Sequence, residues 1–257
     1  MISSIEKHFR SRSAVALVGL ENRLDRILQW WLLLAGFACA ARVALSPHPH
    51  GIAAIPLIGT YFLVVVAPFA STLLGLRWFR DGHLQPQPTT RLACVGSWRT
   101  IDRSEAARHQ LYGTSGIMVS LLIGMMLNVP VRTAEYLASM PPLIGAPPKW
   151  LATLHFMMTF DVVVFSSLYM IAFVAALRRV PLFPRLLGAI WACDLAMQVA
   201  TAKLVVAAGP LPPAVSHALA SMLEGNVKKV LISAALWLPY LLLSKRVNVT
   251  YRHRVPA

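Results

Sequence analysis

The residues best suited to chemistry are ionisable side chains that interrupt long apolar segments. Asp161, Lys203 and Lys228 lie in three successive segments of this kind. At about 1.5 Å of rise per residue, each falls roughly 24–26 Å from the end of its segment that we assign to the cytoplasm. Charged groups within hydrocarbon are costly and mark ligand sites, ion pathways or proton relays. We therefore predict that the three side chains share one polar layer in the outer half of a membrane.

This polar layer has two interpretations. In the first, Lys203 and Lys228 are the cations of a cavity for an anionic ligand or a lipid headgroup, and Asp161 is their counter-ion. In the second, a buried Asp161–Lys203 pair only fixes helix packing, while Lys228 and Lys229 extend to the outer interface. The residue types allow both.

Asp194 is the other acidic residue deep within an apolar segment, and Gln198 follows it by one helical turn. We estimate that Asp194 lies about 12 Å from the inner face. Asp161 and Asp194 are our candidates for proton coupling, but a depth difference of roughly 12 Å predicts that they do not act as a pair. Arg132 and Glu135 are expected further out than the polar layer.

Other kinds of chemistry lack the residues they need. The histidines and methionines of the predicted outer side show no repeated metal-binding spacing, and the three cysteines, Cys39, Cys94 and Cys193, form no CxxC motif. There is no Gly-x-Ser-x-Gly, His-Glu-x-x-His or P-loop sequence. We predict no metal, no cofactor and no enzymatic activity.

The composition indicates the elements that must position these residues. Of the 257 residues, 57% are hydrophobic and only 13% are charged, whereas soluble domains carry about 25% charged residues. Segments of about 20 apolar residues are long enough to cross a bilayer. The fold class we predict is an all-α, polytopic transmembrane bundle of about six helices. The predicted spans are residues 27–45, 51–76, 112–131, 150–177, 186–207 and a sixth that begins upstream of 230 and ends at 243.

The distribution of basic residues predicts the orientation. Eighteen of the 24 Lys and Arg residues fall in the N-terminal segment, the loop from Arg77 to His109, the turn after the fourth span and the C-terminal tail. Cytoplasmic loops carry an excess of Lys and Arg, so both termini are predicted to be cytoplasmic. The net charge of +14 reflects these loops, and we predict no nucleic-acid binding.

Four regions follow from this pattern. Residues 1–26 are a basic leader, which could lie on the membrane as an amphipathic helix or only set the topology. Residues 27–76 are a two-helix membrane unit, 77–111 an Arg- and Pro-rich cytoplasmic loop, and 112–257 a four-helix membrane domain with a basic tail. A cleaved signal peptide at Ala38-Cys39-Ala40 is an alternative for the first span.

The end of the last span carries a distinctive motif. Trp237-Leu238-Pro239-Tyr240 is followed by Ser244-Lys245-Arg246-Val247 and by Thr250-Tyr251. Trp237, Tyr240, Lys245 and Arg246 suit a membrane-interface anchor, since aromatic rings favour headgroup depth and cations favour phosphates.

The same motif, with Phe183-Pro184-Arg185-Leu186 and Gly113-Thr114-Ser115-Gly116, resembles a bacterial inner-membrane family, the domain of unknown function 2569. The resemblance covers residues 112–257. It implies a four-helix unit in a bacterial inner membrane, with the first two spans as an N-terminal addition, and it implies no activity.

Two functions remain open from the sequence. The first is a non-enzymatic component or regulator of a membrane complex, with the loop from Arg77 to His109 as a surface for a membrane protein partner. The alternative is a small transporter or a lipid- or anion-binding protein that uses Asp161, Lys203 and Lys228. An inverted repeat would favour a transporter, and we find none in the sequence.

Overall fold

Eight α-helices and two short strands make up the described part of the protein. The structure is a computed structural model that describes residues 2–46, 55–89, 96–143 and 146–257. The elements in chain order are α1 (Ile2–Ala44), α2 (Ile55–Trp78), β1 (Trp98–Thr100), α3 (Arg103–Arg108), α4 (Ile117–Ser139), α5 (Lys149–Leu177), α6 (Phe183–Ala207), α7 (Pro213–Leu243), α8 (Lys245–Arg252) and β2 (Arg254–Pro256).

Six of these helices, α1, α2, α4, α5, α6 and α7, are long and apolar enough to cross a membrane. The predicted all-α bundle of six spans is therefore confirmed. The fourth span is predicted almost to the residue, because Pro148 precedes α5 and a left-handed Arg179, at φ 58°, follows it. The sixth span does begin well upstream of residue 230.

The third and fifth spans differ from their predicted bounds. Gly116 adopts φ +77°, and α4 begins only after it. The helix then continues through Pro130 to Ser139, because a membrane helix tolerates a proline when its neighbours compensate for the lost hydrogen bond. Helix α6 begins at Phe183, with Pro184 in the first turn, where the missing N–H is harmless. Both changes alter which polar residues can meet.

Helix α1 runs without a break through residue 26. The basic leader is thus helical and continuous with the first span. Trp31 of α1 turns inward: its indole N–H donates to the carbonyl of Val65 at 2.9 Å. That bond joins α1 to α2 within a turn of Pro68, where the helix lacks one backbone donor.

Helix α2 packs closely along α5. A Cβ at Gly75 would lie 3.2 Å from the Cβ of Val174, so the small residue permits this approach. Thr72, on the same face, is fully buried. The resemblance suggested that the first two spans are an addition to a four-helix unit, but α2 is packed into that unit.

One end of the bundle is closed by a polar cap, which we define as β1, α3, α8 and β2. Strand β1 pairs with β2 in antiparallel register, with Thr100 opposite Arg254. Part of the predicted loop of residues 77–111, the strand Trp98–Thr100, is therefore joined to the C-terminal tail. The N–H of Gly116 donates to Ser13 Oγ at 2.9 Å. The α1 segment around Ser13 and the C-terminal elements consequently lie at the same end.

Tyr251 fastens the polar cap to the bundle. Its ring is 1% exposed and packs 5.1 Å from the ring of Phe183. Its hydroxyl donates to the carbonyl of Ala176, at the end of α5, at 2.9 Å.

We predict that Tyr251→Phe lowers the free energy of unfolding by about 1–2 kcal/mol, because a buried carbonyl loses its hydrogen bond while the ring packing stays. Thermal unfolding in detergent measures the change. The matched control is Tyr112→Phe, whose ring packs against the Arg179 guanidinium and whose loss should be smaller. Equal losses in the two variants would contradict the role assigned to the Tyr251 hydroxyl.

Candidate functional site

Arg132 on α4 lies at the centre of a polar network inside the bundle. Its Nη1 donates to Asp161 Oδ2 on α5 at 2.7 Å. Its Nη2 forms a short ion pair with Asp194 Oδ2 on α6. Its Nε donates to Asn128 Oδ1, one turn earlier on α4, at 3.0 Å. One guanidinium thus links three helices, because its planar set of donors can serve several acceptors at once.

A second set of hydrogen bonds fixes the two carboxylates. Gln198 Nε2 donates to Asp161 Oδ1 at 3.0 Å and to Asp194 Oδ1 at 3.3 Å. The Tyr169 hydroxyl donates to Asp194 Oδ2 at 3.2 Å. Asn226 Nδ2 on α7 donates to Gln198 Oε1 at 3.4 Å. All four helices of the second half of the chain therefore contribute to the network.

Aromatic rings surround the cation of this network. The Arg132 guanidinium carbon lies 5.3 Å from the ring centre of Phe165 and 5.7 Å from that of Tyr169. The side chain of Asp194 is fully buried, that of Asp161 is 8% exposed and that of Arg132 is 12% exposed. With both carboxylates ionised, one buried positive charge faces two buried negative charges.

A cavity of about 380 Å³ adjoins the network, between α4, α5 and α7. Arg132 and Asp161 line its inner wall, and Asn226 lines the α7 side. Glu135 and Lys229, which form an ion pair between α4 and α7, line it too, and both are about half exposed. The cavity therefore extends from the buried network to this partly exposed ion pair.

Lys203 does not belong to the site. The cation that Asp161 contacts is Arg132, and Lys203 lies on an exposed face of α6. Lys203 follows Asp194 by nine positions, about two and a half helical turns, so it points away from the network. The predicted Asp161–Lys203 pair is wrong.

Lys228 is also directed elsewhere. It pairs with Glu224 on the same helix at 2.5 Å, and both side chains are 65% exposed. The cavity-facing residues of α7 include Asn226, Lys229 and Val230, which share a helix face that Lys228 does not. The predicted cationic wall of Lys203 and Lys228 is therefore absent from the described site.

Asp161 and Asp194 come together, contrary to their predicted separation. One cause is the start of α6, which at Phe183 places Asp194 about 4.5 Å deeper than a start at residue 186 would. The long side chains of Arg132 and Gln198 span the remaining offset. Both residues we named for proton coupling thus belong to one network.

The central role of Arg132 was missed because the third span was ended at residue 131, which placed Arg132 further out than the polar layer. The spacing of Asn128 with Arg132 and of Asp194 with Gln198, each one helical turn, was the available signal. Tyr169 and Asn226 carried no signal of their own.

The end motif packs against the protein as well as facing outward. The rings of Trp237 and Tyr240 meet edge to face at 5.9 Å. Lys245 is exposed, but Arg246 Nη1 donates to Ser115 Oγ at 2.8 Å. Arg246 therefore connects α8 to the segment before α4, and its role at a membrane interface stays a prediction.

Within the described ranges, no three His, Cys, Asp or Glu side chains are placed to hold a metal ion. His155 instead lies beside the Tyr136 hydroxyl at 3.4 Å, in a second, smaller polar group with Thr159. His48, His50 and Cys94 lie outside the described residues.

Comparisons with known proteins place no family on this chain. No protein-family model matches it, and neither a curated protein nor a solved structure does. The resemblance of residues 112–257 to the domain of unknown function 2569 stays a prediction.

We predict that Arg132→Met lowers stability by about 3–5 kcal/mol, because it leaves two buried carboxylates without their cation. Adding Asp161→Asn and Asp194→Asn to that variant should recover much of the loss, since no buried charge then remains unpaired. Thermal unfolding in detergent measures both changes.

The matched control is Lys203→Met, which also removes a cation from an apolar helix but on an exposed face. We expect it to leave stability nearly unchanged. A loss as large as that of Arg132→Met would mean that Lys203, and not Arg132, neutralises the carboxylates.

Proposed function

We propose that this multi-pass membrane protein binds a small cationic solute in the cavity beside Arg132 and exchanges it for a proton. The observation that carries the proposal is the charge of the network: two buried carboxylates share one guanidinium next to a cavity of about 380 Å³. Ionisable residues within a membrane, facing an interior cavity, mark substrate and proton pathways.

The sign of the charge supports a cation. The anion-binding hypothesis relied on Lys203 and Lys228, and both are exposed outside the cavity. The remaining charged groups of the lining are Arg132, Lys229, Asp161 and Glu135, which cancel. Asp194, directly behind Arg132, adds one further negative charge.

Exchange follows from the cost of that unmatched charge. An uncompensated buried charge is unfavourable in a low-dielectric interior, so the empty site holds a proton on one of the two carboxyl groups. A cationic solute that reaches Asp161 supplies the same neutralisation, and the proton leaves. Binding of the solute and binding of the proton then exclude each other, which is the requirement for coupled exchange.

The location we propose is a bacterial inner membrane with both termini in the cytoplasm. The excess of basic residues in the predicted cytoplasmic segments supports this orientation. The contact between Gly116 and Ser13, together with the β1–β2 pairing, is consistent with it, since both join segments that were assigned to one side.

A component or regulator of a membrane complex is the second candidate function. Part of the loop from Arg77 to His109 is engaged within the polar cap through β1. Arg108 of that loop is nevertheless exposed, and Arg99, although paired with Glu105, is also largely exposed. A stoichiometric protein partner with an empty cavity would favour this function.

The test is thermal unfolding of the purified protein with a panel of organic cations, including ethylammonium, guanidinium and tetramethylammonium chlorides, against sodium acetate at equal ionic strength. We expect at least one organic cation to stabilise the protein, and more so at higher pH, because the proton competes for the same site. Asp161→Asn should abolish the stabilisation, whereas Lys203→Met should retain it.

Native mass spectrometry of the protein released with its own lipids tests the sign of the ligand independently. A retained cationic solute agrees with the proposal. A retained organic anion that Asp161→Asn does not displace, with no response to any cation of the panel, would contradict it.

A further inference from the structure

A second cavity, of about 200 Å³, lies where the polar cap meets the start of α6. Three structural parts surround it: the segment after α2, the first turn of α6 and the junction of α8 with β2. The residues that line it are Gln87, Pro88, Thr89, Thr100, Pro181, Pro184, Arg185, Arg252 and Arg254. This cavity is separate from the one beside Arg132 and shares no lining residue with it.

Three arginines converge on this small volume. Arg185 belongs to the first turn of α6, Arg252 is the last residue of α8, and Arg254 is the first residue of β2. Among the described residues that line the cavity, none is acidic. Burial and then the positive charges of Arg254 and Arg185 lower the pKa of Arg252 to about 10. The fold thus assembles like charges that repel one another.

Two of the three arginines, Arg252 and Arg254, are held in place, and Arg185 is partly buried. Arg254 is 9% exposed. Arg252 Nη1 donates to the carbonyl of Leu242 at 3.3 Å and to Asn248 Oδ1 at 3.1 Å. These bonds occupy one nitrogen of the guanidinium and fix its position at the cavity. Positioned arginines of this kind match the oxygen atoms of a tetrahedral oxyanion.

The surroundings favour an anion further. The cavity lies at the start of α6, where the helix dipole is positive. The positive charge of Arg185 in that first turn is therefore unfavourable beside the positive end of the dipole. An anion in the cavity would offset this repulsion. Thr89 and Thr100 also line the cavity, and Thr100 is paired with Arg254 in the β1–β2 register.

We propose that the cavity between Arg185, Arg252 and Arg254 binds a phosphate group, carried either by a soluble phosphate or by the headgroup of an anionic lipid. The site joins the loop after α2, α6 and the C-terminal elements, so its occupancy would hold the polar cap against the bundle. It does not depend on what the cavity beside Arg132 binds.

The experiment has two arms, each with wild-type protein. In the first, the protein in a neutral detergent is titrated with inorganic phosphate, and thermal unfolding is followed against sodium chloride at equal ionic strength. In the second, the protein is reconstituted in vesicles of phosphatidylcholine, with or without phosphatidylglycerol, and thermal unfolding is compared. Stabilisation in the first arm identifies a soluble phosphate as a ligand, and stabilisation in the second arm alone identifies a lipid headgroup.

Arg185→Gln tests the site in whichever arm responds. We expect its apparent affinity to fall about tenfold or more, because a charge-assisted hydrogen bond is lost. Arg185→Lys keeps the charge but not the planar donors and should retain part of the affinity, which gives a reading if the glutamine variant does not fold. The matched control is Arg108→Gln, which removes an exposed arginine of α3 in the same polar cap.

Three results would overturn the proposal. One is the absence of stabilisation in both arms. Another is an equal loss of affinity in Arg185→Gln and Arg108→Gln, which would indicate non-specific attraction to a basic surface. The third is unchanged affinity in both Arg185 variants. None of these results would decide the outcome of the cation experiment on the cavity beside Arg132.

Discussion

The ion pairs of Arg132 with Asp161 and Asp194 are the constraint on which the packing of α4, α5 and α6 depends. In hydrocarbon, neither the guanidinium nor either carboxylate can be left without a partner, so α4, α5 and α6 must align with their polar positions at one level. Gln198 donates to the two carboxylate oxygens that Arg132 leaves open, and Tyr169 adds a second hydrogen bond to Asp194 Oδ2. The aliphatic packing around these residues would tolerate small shifts between helices, and the ion pairs would not.

The position of α7 follows from the same network but with weaker ties. Within the described residues, it reaches the network through Asn226, at 3.4 Å from Gln198, and reaches α4 through the half-exposed Glu135–Lys229 pair. The cavity lies along this weakly joined boundary. Helix α7 also contributes the buried side chains of Leu219, Leu223, Val230 and Leu241 to the core. Its polar ties to the network are nevertheless weaker than those among α4, α5 and α6, since exposed ion pairs contribute little.

The sequence predicted the bundle because hydropathy and segment length are local properties. The span of α5 needed only an apolar run and a boundary proline, and the end of α7 needed only an apolar run, whereas the start of α7 was not assigned. The site was predicted less well, since it depends on which way each helix faces. Asp161 and Asp194 were identified because they are acidic residues within apolar segments. Lys203 was chosen for its predicted depth alone, but it follows Asp194 by nine positions and therefore lies on the opposite face of the helix. The role of Arg132 was missed because the predicted end of α4 lay eight residues before its actual end.

The polar cap shows a different limit of sequence reasoning. The composition of a basic, proline-rich loop and of a basic tail predicts solvated segments. The residues of Trp98–Thr100 carry no signal that this strand pairs with Arg254–Pro256. The pairing brings Arg185, Arg252 and Arg254 together from separate elements. Long-range convergence of like charges is invisible to a count of basic residues, although that count correctly anticipated which segments would lie at one end.

The close approach of Gly75 to Val174 has a consequence for biosynthesis. Helix α2 is synthesised well before α5. The face of α2 that carries Thr72 and Gly75, which α5 covers in the folded protein, therefore enters the bilayer before α5 has been made. Until α5 arrives, that face must be covered by lipid, by α1 or by the insertion machinery. The packing of α2 onto α5 can therefore form only after the middle of the chain has been synthesised.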